Sequence, residues 1–107
     1  MIYDVVLTRK AERQITAAAR WWAEHRSVHQ AQYWYQGVVQ TLNSLATDPQ
    51  RCPLAPEHEA LPLPIRQITY GVGCKPTHRA LFAIRGQRVV VYAVRHVAQQ
   101  DVGPEDL

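Results

Sequence analysis

The sequence predicts an α+β fold: a small antiparallel β-sheet with an N-terminal antiparallel helical hairpin packed on one face. Three observations predict it. Between residues 9 and 47 apolar residues recur at helical spacing, in two stretches broken near Ser27. Two apolar regions of strand character follow, at 65–71 and 79–96. Between them Pro49, Pro53, Pro56, Pro62 and Pro64 exclude both a helix and a central strand. The order is therefore β-αα-βββ, in a chain of 107 residues with room for one domain, 1–107.

The run IYDVVL (2–7) suits a first strand and lacks the charged and apolar regions of a secretory signal. From Arg9 the period changes. Ala11, Ile15, Ala18, Ala19 and Trp22 form one stripe, and the helix is expected to end near His25-Arg26, cations suited to a C-terminus. Ser27 and Gln30 have capping-box spacing, so a second helix starts there. Its stripe is Ala31, Trp34, Tyr35, Val38, Leu42 and Leu45, and Asp48-Pro49 stops it. So short a connection makes the helices antiparallel. Trp21, Trp22, Tyr33, Trp34 and Tyr35 cluster near the tip of this hairpin on more than one helix face. Inter-helix packing and a docking patch both suit them.

Residues 49–64 read as a stiff connecting loop, 65–71 as a strand and 72–77 as a turn. In the 79–96 hairpin the turn is Arg85-Gly86 or Gly86-Gln87. Strand alternation puts Phe82, Val89 and Val91 on one face, the candidate for burial under the helices. The opposite, solvent-facing side then carries Arg79, Tyr92 and His96 as neighbours, able to bind and polarise a phosphate. The same residues also suit a plain solvated sheet face. On this reading Arg79→Ala abolishes activity at a stability cost within about 0.5 kcal/mol. The tail, 98–107, is acidic and expected to fray.

The formal charge of +3 is unevenly spread. Residues 1–59 balance six bases against six acids, whereas 60–100 hold six bases and no acid. That field favours an anionic partner, nucleic acid or an acidic protein segment. The hairpin brings His78-Arg79 and Arg95-His96 together with no acid in the same half. Glu57, His58 and Glu59 sit in the Pro-rich loop, and nothing in the sequence places them near Arg79. No apolar run is long enough to cross a bilayer. Cys52 and Cys74 have no metal-ligand spacing, so no metal or cofactor and a reducing, cytoplasmic setting are expected.

Several motifs together resemble the RelE/ParE superfamily, toxins of bacterial type II toxin–antitoxin systems often labelled plasmid-stabilisation proteins. They are the AER opening of helix 1, LATDPQR at the end of helix 2, the IRQI strand, HRALFAI and the closing VVVYAVRH, over residues 2–97. The resemblance implies a toxin neutralised by a cognate antitoxin with an acidic amphipathic segment. It also implies that Arg79 matches a phosphate-contacting arginine, Arg66 a basic position on the preceding strand, and Arg95-His96 the end of the last strand. With Tyr92, these make up the candidate target- or phosphate-binding set. The RelE branch cleaves ribosome-bound mRNA, and the ParE branch poisons DNA gyrase. Lys75 is the sole lysine after Lys10, and His96 is followed by VAQQD instead of ending a His-Tyr pair. Both features, with the long helical hairpin, place the chain nearer ParE, with gyrase as target. The alternatives are a RelE-type endonuclease, with Arg79 as phosphate clamp and His96 as acid or base, and a non-toxic binding module of the same fold.

Overall fold

The computed structural model describes residues 2–73, 75–99, 103, 104 and 107. Its elements run β1 (Asp4–Leu7), α1 (Arg9–His25), α2 (Val28–Asn43), β2 (Arg66–Tyr70), β3 (His78–Arg85) and β4 (Arg88–His96), with three short 3-10 turns between α2 and β2. The predicted α+β order is the observed one. The sheet is mixed, however, in the order β1-β4-β3-β2. β2, β3 and β4 pair antiparallel, whereas β1 joins the edge of β4 in parallel. A parallel neighbour requires a crossover connection, and the helical hairpin supplies it.

Both helices start on side-chain caps. Thr8 Oγ1 accepts from the Ala11 N–H at 3.1 Å, and Ser27 Oγ from the Gln30 N–H at 3.0 Å, as the Ser27/Gln30 spacing predicts. α1 closes with the Arg26 N–H on the Trp22 carbonyl. After α2, Asp48 takes a left-handed φ of 50° and Pro49 opens a 3-10 turn, which ends the helical region where expected. Ala11 and Ile15 of α1 and Ala31, Trp34, Val38 and Leu42 of α2 are buried. Tyr35, assigned to the same stripe from its spacing, is exposed instead.

The hairpin turns at Gly86-Gln87. Gly86 has φ +63° and Arg85 pairs with Arg88, the pattern of a II′ turn with glycine first. One residue more lies on β4 than on β3. Leu81 pairs with Ala93 but Phe82 with Val91, so Tyr92 is a β-bulge. The bulge is tied to the start of α1: Thr8 N–H donates to the Val91 carbonyl at 3.0 Å and Thr8 Oγ1 to that of Tyr92 at 3.2 Å. Beyond it, Gln14 Oε1 accepts from the Val94 N–H at 2.8 Å, satisfying a strand edge that β1 no longer covers.

The helices cover one face of the sheet, where Phe82, Val89, Val91 and Val94 pack with Trp34, Val38 and Leu42. The other face was expected to meet solvent. Instead Leu81, Ala83 and Ala93 are buried against Ala55, Leu61 and Ile65 of the Pro-rich loop and its exit. Backbone bonds hold this loop to the sheet, Ala55 N–H to the Ile65 carbonyl at 2.8 Å and Gln67 N–H to that of Pro53 at 3.0 Å. Leu107 also packs on this second cluster, where a frayed end was expected. The tail acids Asp101, Glu105 and Asp106 lie outside the described residues, as does Cys74. Among the described residues no helix is long and apolar enough to cross a membrane.

Candidate functional site

The bulge decides where the candidate residues point. Strand alternation without it gives the neighbours Arg79, Tyr92 and His96. With it, every β4 residue after Tyr92 changes face. Arg79 pairs with Arg95 on the loop side, and His78 pairs with His96 on the helix side. The expected triad does not form.

Arg79 is 7% exposed, beneath the Pro-rich loop. Its guanidinium makes a two-pronged ion pair with Glu57, at 2.7 Å to Oε1 and 2.6 Å to Oε2, and donates to Gln67 Oε1 at 3.2 Å. Like charges opposite each other on adjacent strands repel, so the Arg79–Arg95 pair needs an acid. Glu57 brings it from 22 residues away. The low cost expected for Arg79→Ala is thereby overturned, because removal strands a carboxylate that is itself 6% exposed.

The other candidates disperse. Arg66 donates to the carbonyls of Cys52 at 2.6 Å and Gln50 at 3.3 Å, anchoring the start of the loop. The Tyr92 hydroxyl accepts from Arg85 at 3.3 Å, toward the closed end of the hairpin, and its ring packs on the second cluster. Sequence reasoning grouped five residues as one binding set. The structure uses Arg66 and Arg79 to fasten the loop.

A different group gathers at the open end of the hairpin. A cleft of about 470 Å³ opens there, between Trp21, Trp22 and Arg26 on the last turns of α1 and Thr77, His78 and His96 on the strand side. The His78 and His96 rings meet edge to face with centroids 5.3 Å apart, and Trp34 packs on His78 from the core at 5.1 Å. Burial, then the neighbouring His96, pushes the His78 pKa down to about 4, which keeps the ring neutral. Its Nδ1 lies 2.8 Å from Thr77 Oγ1. His96 Nδ1 accepts the Ala98 N–H at 3.1 Å. An amide can only donate, so the neutral His96 ring carries its proton on Nε2. In that tautomer its Nε2 is a hydrogen-bond donor.

Sequence alternation did not bring His78, Trp21, Trp22 and Arg26 to His96. No sequence pattern marks the bulge; it shows in the pairing, where eight residues on β3 lie against nine on β4 and leave one unmatched. Of the aromatic cluster, Trp34 is fully buried in the core while Trp21, Tyr33 and Tyr35 are exposed, so both expected roles occur. Among the described residues no three His, Cys, Asp or Glu side chains converge as metal ligands would.

With this geometry in view, comparison with known proteins is informative. A family model described as the ParE toxin of type II toxin–antitoxin system, parDE, matches residues 5–101. Among solved structures the chain is similar to one described as "Chromosomal ParDE TA system from P. aeruginosa", with a TM-score of 0.74 and 18% identity over 90% of this chain and 97% of that one. At that identity the likeness is one of fold. No curated protein matches the chain.

Proposed function

The chain belongs to the ParE toxin family of type II toxin–antitoxin systems, and on that premise we propose that it inhibits growth by binding and poisoning DNA gyrase in the cytoplasm until a cognate antitoxin neutralises it. One observation carries binding over RNA cleavage: Arg79 and His96 lie on opposite faces of the sheet, and Arg79 is closed into an ion pair with Glu57. Cleavage through a 2′-hydroxyl needs a base and a phosphate clamp on the same phosphodiester. This arrangement offers neither together. Of the six bases in residues 60–100, Arg79 is closed by Glu57; the other five, with no acid in that stretch of sequence, support an anionic partner, which suits both a gyrase–DNA complex and an acidic antitoxin segment.

The test is induced expression with two readouts in parallel, a DNA-damage reporter and primer extension on abundant transcripts. Growth arrest with damage induced and transcripts intact is expected, and co-expression of the neighbouring reading frame restores growth. Cleavage of ribosome-bound mRNA that disappears in His96→Gln would overturn the gyrase reading in favour of the endonuclease. Unimpaired growth at high soluble expression would remove the toxin reading altogether.

A further inference from the structure

The cleft at the open end of the hairpin has a composition that poisoning of gyrase does not by itself require. Its helical wall is Trp21 and Trp22, edge to face with centroids 5.7 Å apart, and His25 stacks on Trp21 at 4.7 Å. Indoles already braced by neighbours lose little freedom when a ligand covers them. Trp21 nonetheless remains 46% exposed. The strand wall offers His96 with its proton on Nε2, and Arg26 stands exposed where α1 ends. Among the described residues no carboxylate lines the cleft. Beside a large apolar surface it offers the Arg26 cation and the His96 donor, with Thr77 and His78 bonded to each other, within a field of the same positive sign.

We propose that this cleft is the anchoring pocket for one aromatic or large aliphatic side chain of an acidic peptide, whose neighbouring carboxylate pairs with Arg26 and accepts from His96. The volume of about 470 Å³ lies within the usual range for pockets that enclose such groups. Charge complementarity identifies the occupant: an acid flanking the anchor meets Arg26 at the rim. Single-stranded nucleic acid also stacks on indoles, but it needs a line of cations to follow successive phosphates. Among the described residues Arg26 is the one permanent cation in the lining. The identification of that peptide as the antitoxin's rests on the function proposed above; the chemistry of the pocket does not.

The test is an NMR titration of the full chain with two short synthetic peptides, each with a central Leu-Trp pair flanked by Glu in one and Lys in the other, and with an oligo-dT strand. The Glu peptide is expected to shift the indole N–H signals of Trp21 and Trp22 and the ring signals of His78 and His96. Arg26→Glu weakens this binding roughly tenfold or more. Ala18→Trp, which fills the cleft from α1, abolishes it. Arg26 is exposed, so its variant decides the matter even where Ala18→Trp does not fold. Equal binding of the Lys peptide, unchanged affinity in Arg26→Glu, or shifts given by oligo-dT and not by the Glu peptide would each overturn the pocket. Growth rescue separates the two readings. A neighbouring antitoxin that rescues wild type and Arg26→Glu equally removes the antitoxin as occupant of the pocket and leaves the toxin reading standing, whereas Glu-peptide binding with no antitoxin able to rescue sinks the toxin–antitoxin reading and leaves the pocket standing.

Discussion

Removing the Arg79 side chain should cost a large share of the protein's stability. In Arg79→Ala the Glu57 carboxylate loses both of its short bonds to the guanidinium while the loop still covers it. The side chains of Arg79 and Glu57 are 8% and 3% exposed, so water does not replace what is lost. Breaking a buried pair from one side costs roughly 3–5 kcal/mol. A domain of this size has about 5–15 kcal/mol in all. The melting temperature should fall by roughly 12 °C or more. Urea unfolding followed by tryptophan fluorescence measures the loss. Replacing both partners, in Arg79→Met with Glu57→Leu, should recover most of it, giving a coupling of roughly 2–3 kcal/mol in a double-mutant cycle with the Arg79→Met and Glu57→Leu single variants. A single-variant cost below about 0.5 kcal/mol, the value for a surface site, would show that the loop does not seat on this face. So would a double variant as unstable as the sum of the singles.

Thr8→Ala removes both the cap of α1 and the bond to the Tyr92 carbonyl, and should cost about 1–2 kcal/mol in thermal unfolding, whereas Thr16→Ala, exposed within the same helix, should gain a few tenths. A Cβ on Gly37 would collide with the Tyr70 hydroxyl, so Gly37→Ala must displace a ring that packs on Trp34; a loss of about 1–3 kcal/mol should exceed the gain in helix propensity, and a stabilised variant would refute this contact. His78 titrates at about 4 when folded and about 6.5 when unfolded, so the stability it contributes is complete above about pH 6.5 and lost as pH falls toward 4. Urea midpoints should therefore drop more steeply across that window in wild type than in His78→Phe, and parallel profiles would show that the imidazole is not buried as described.

The helices were legible because local chemistry specifies them. A period of 3.6, the Ser27 cap and the Asp48-Pro49 stop act over a few residues each, and each is where the spacing put it. The turn at Gly86 and the burial of Phe82, Val89 and Val91 were readable for the same reason. What failed was everything set at long range. The alternation in DVVL suits a strand running either way, so it does not reveal that β1 lies parallel to β4. A proline-rich stretch has no period, and its burial of Ala55, Leu61 and Glu57 is visible only once the sheet exists. The candidate site was misassembled because alternation was carried through Tyr92, whose backbone is instead held by Thr8.

That single unmatched residue acts on the sheet as a frameshift acts on a message. Up to Val91 the side chains of β4 are sorted in one phase, and from Ala93 onward in the other. Loss of one residue between Val89 and Arg95 would leave the spelling of the strand's end intact. It would nevertheless aim the arginine at the helices and the histidine at the loop. Two relatives can thus share a terminal Arg-His pair and present opposite chemistry to the same partner. Between chains as divergent as this one and its structural neighbour, the spacing of letters carries as much information as the letters themselves.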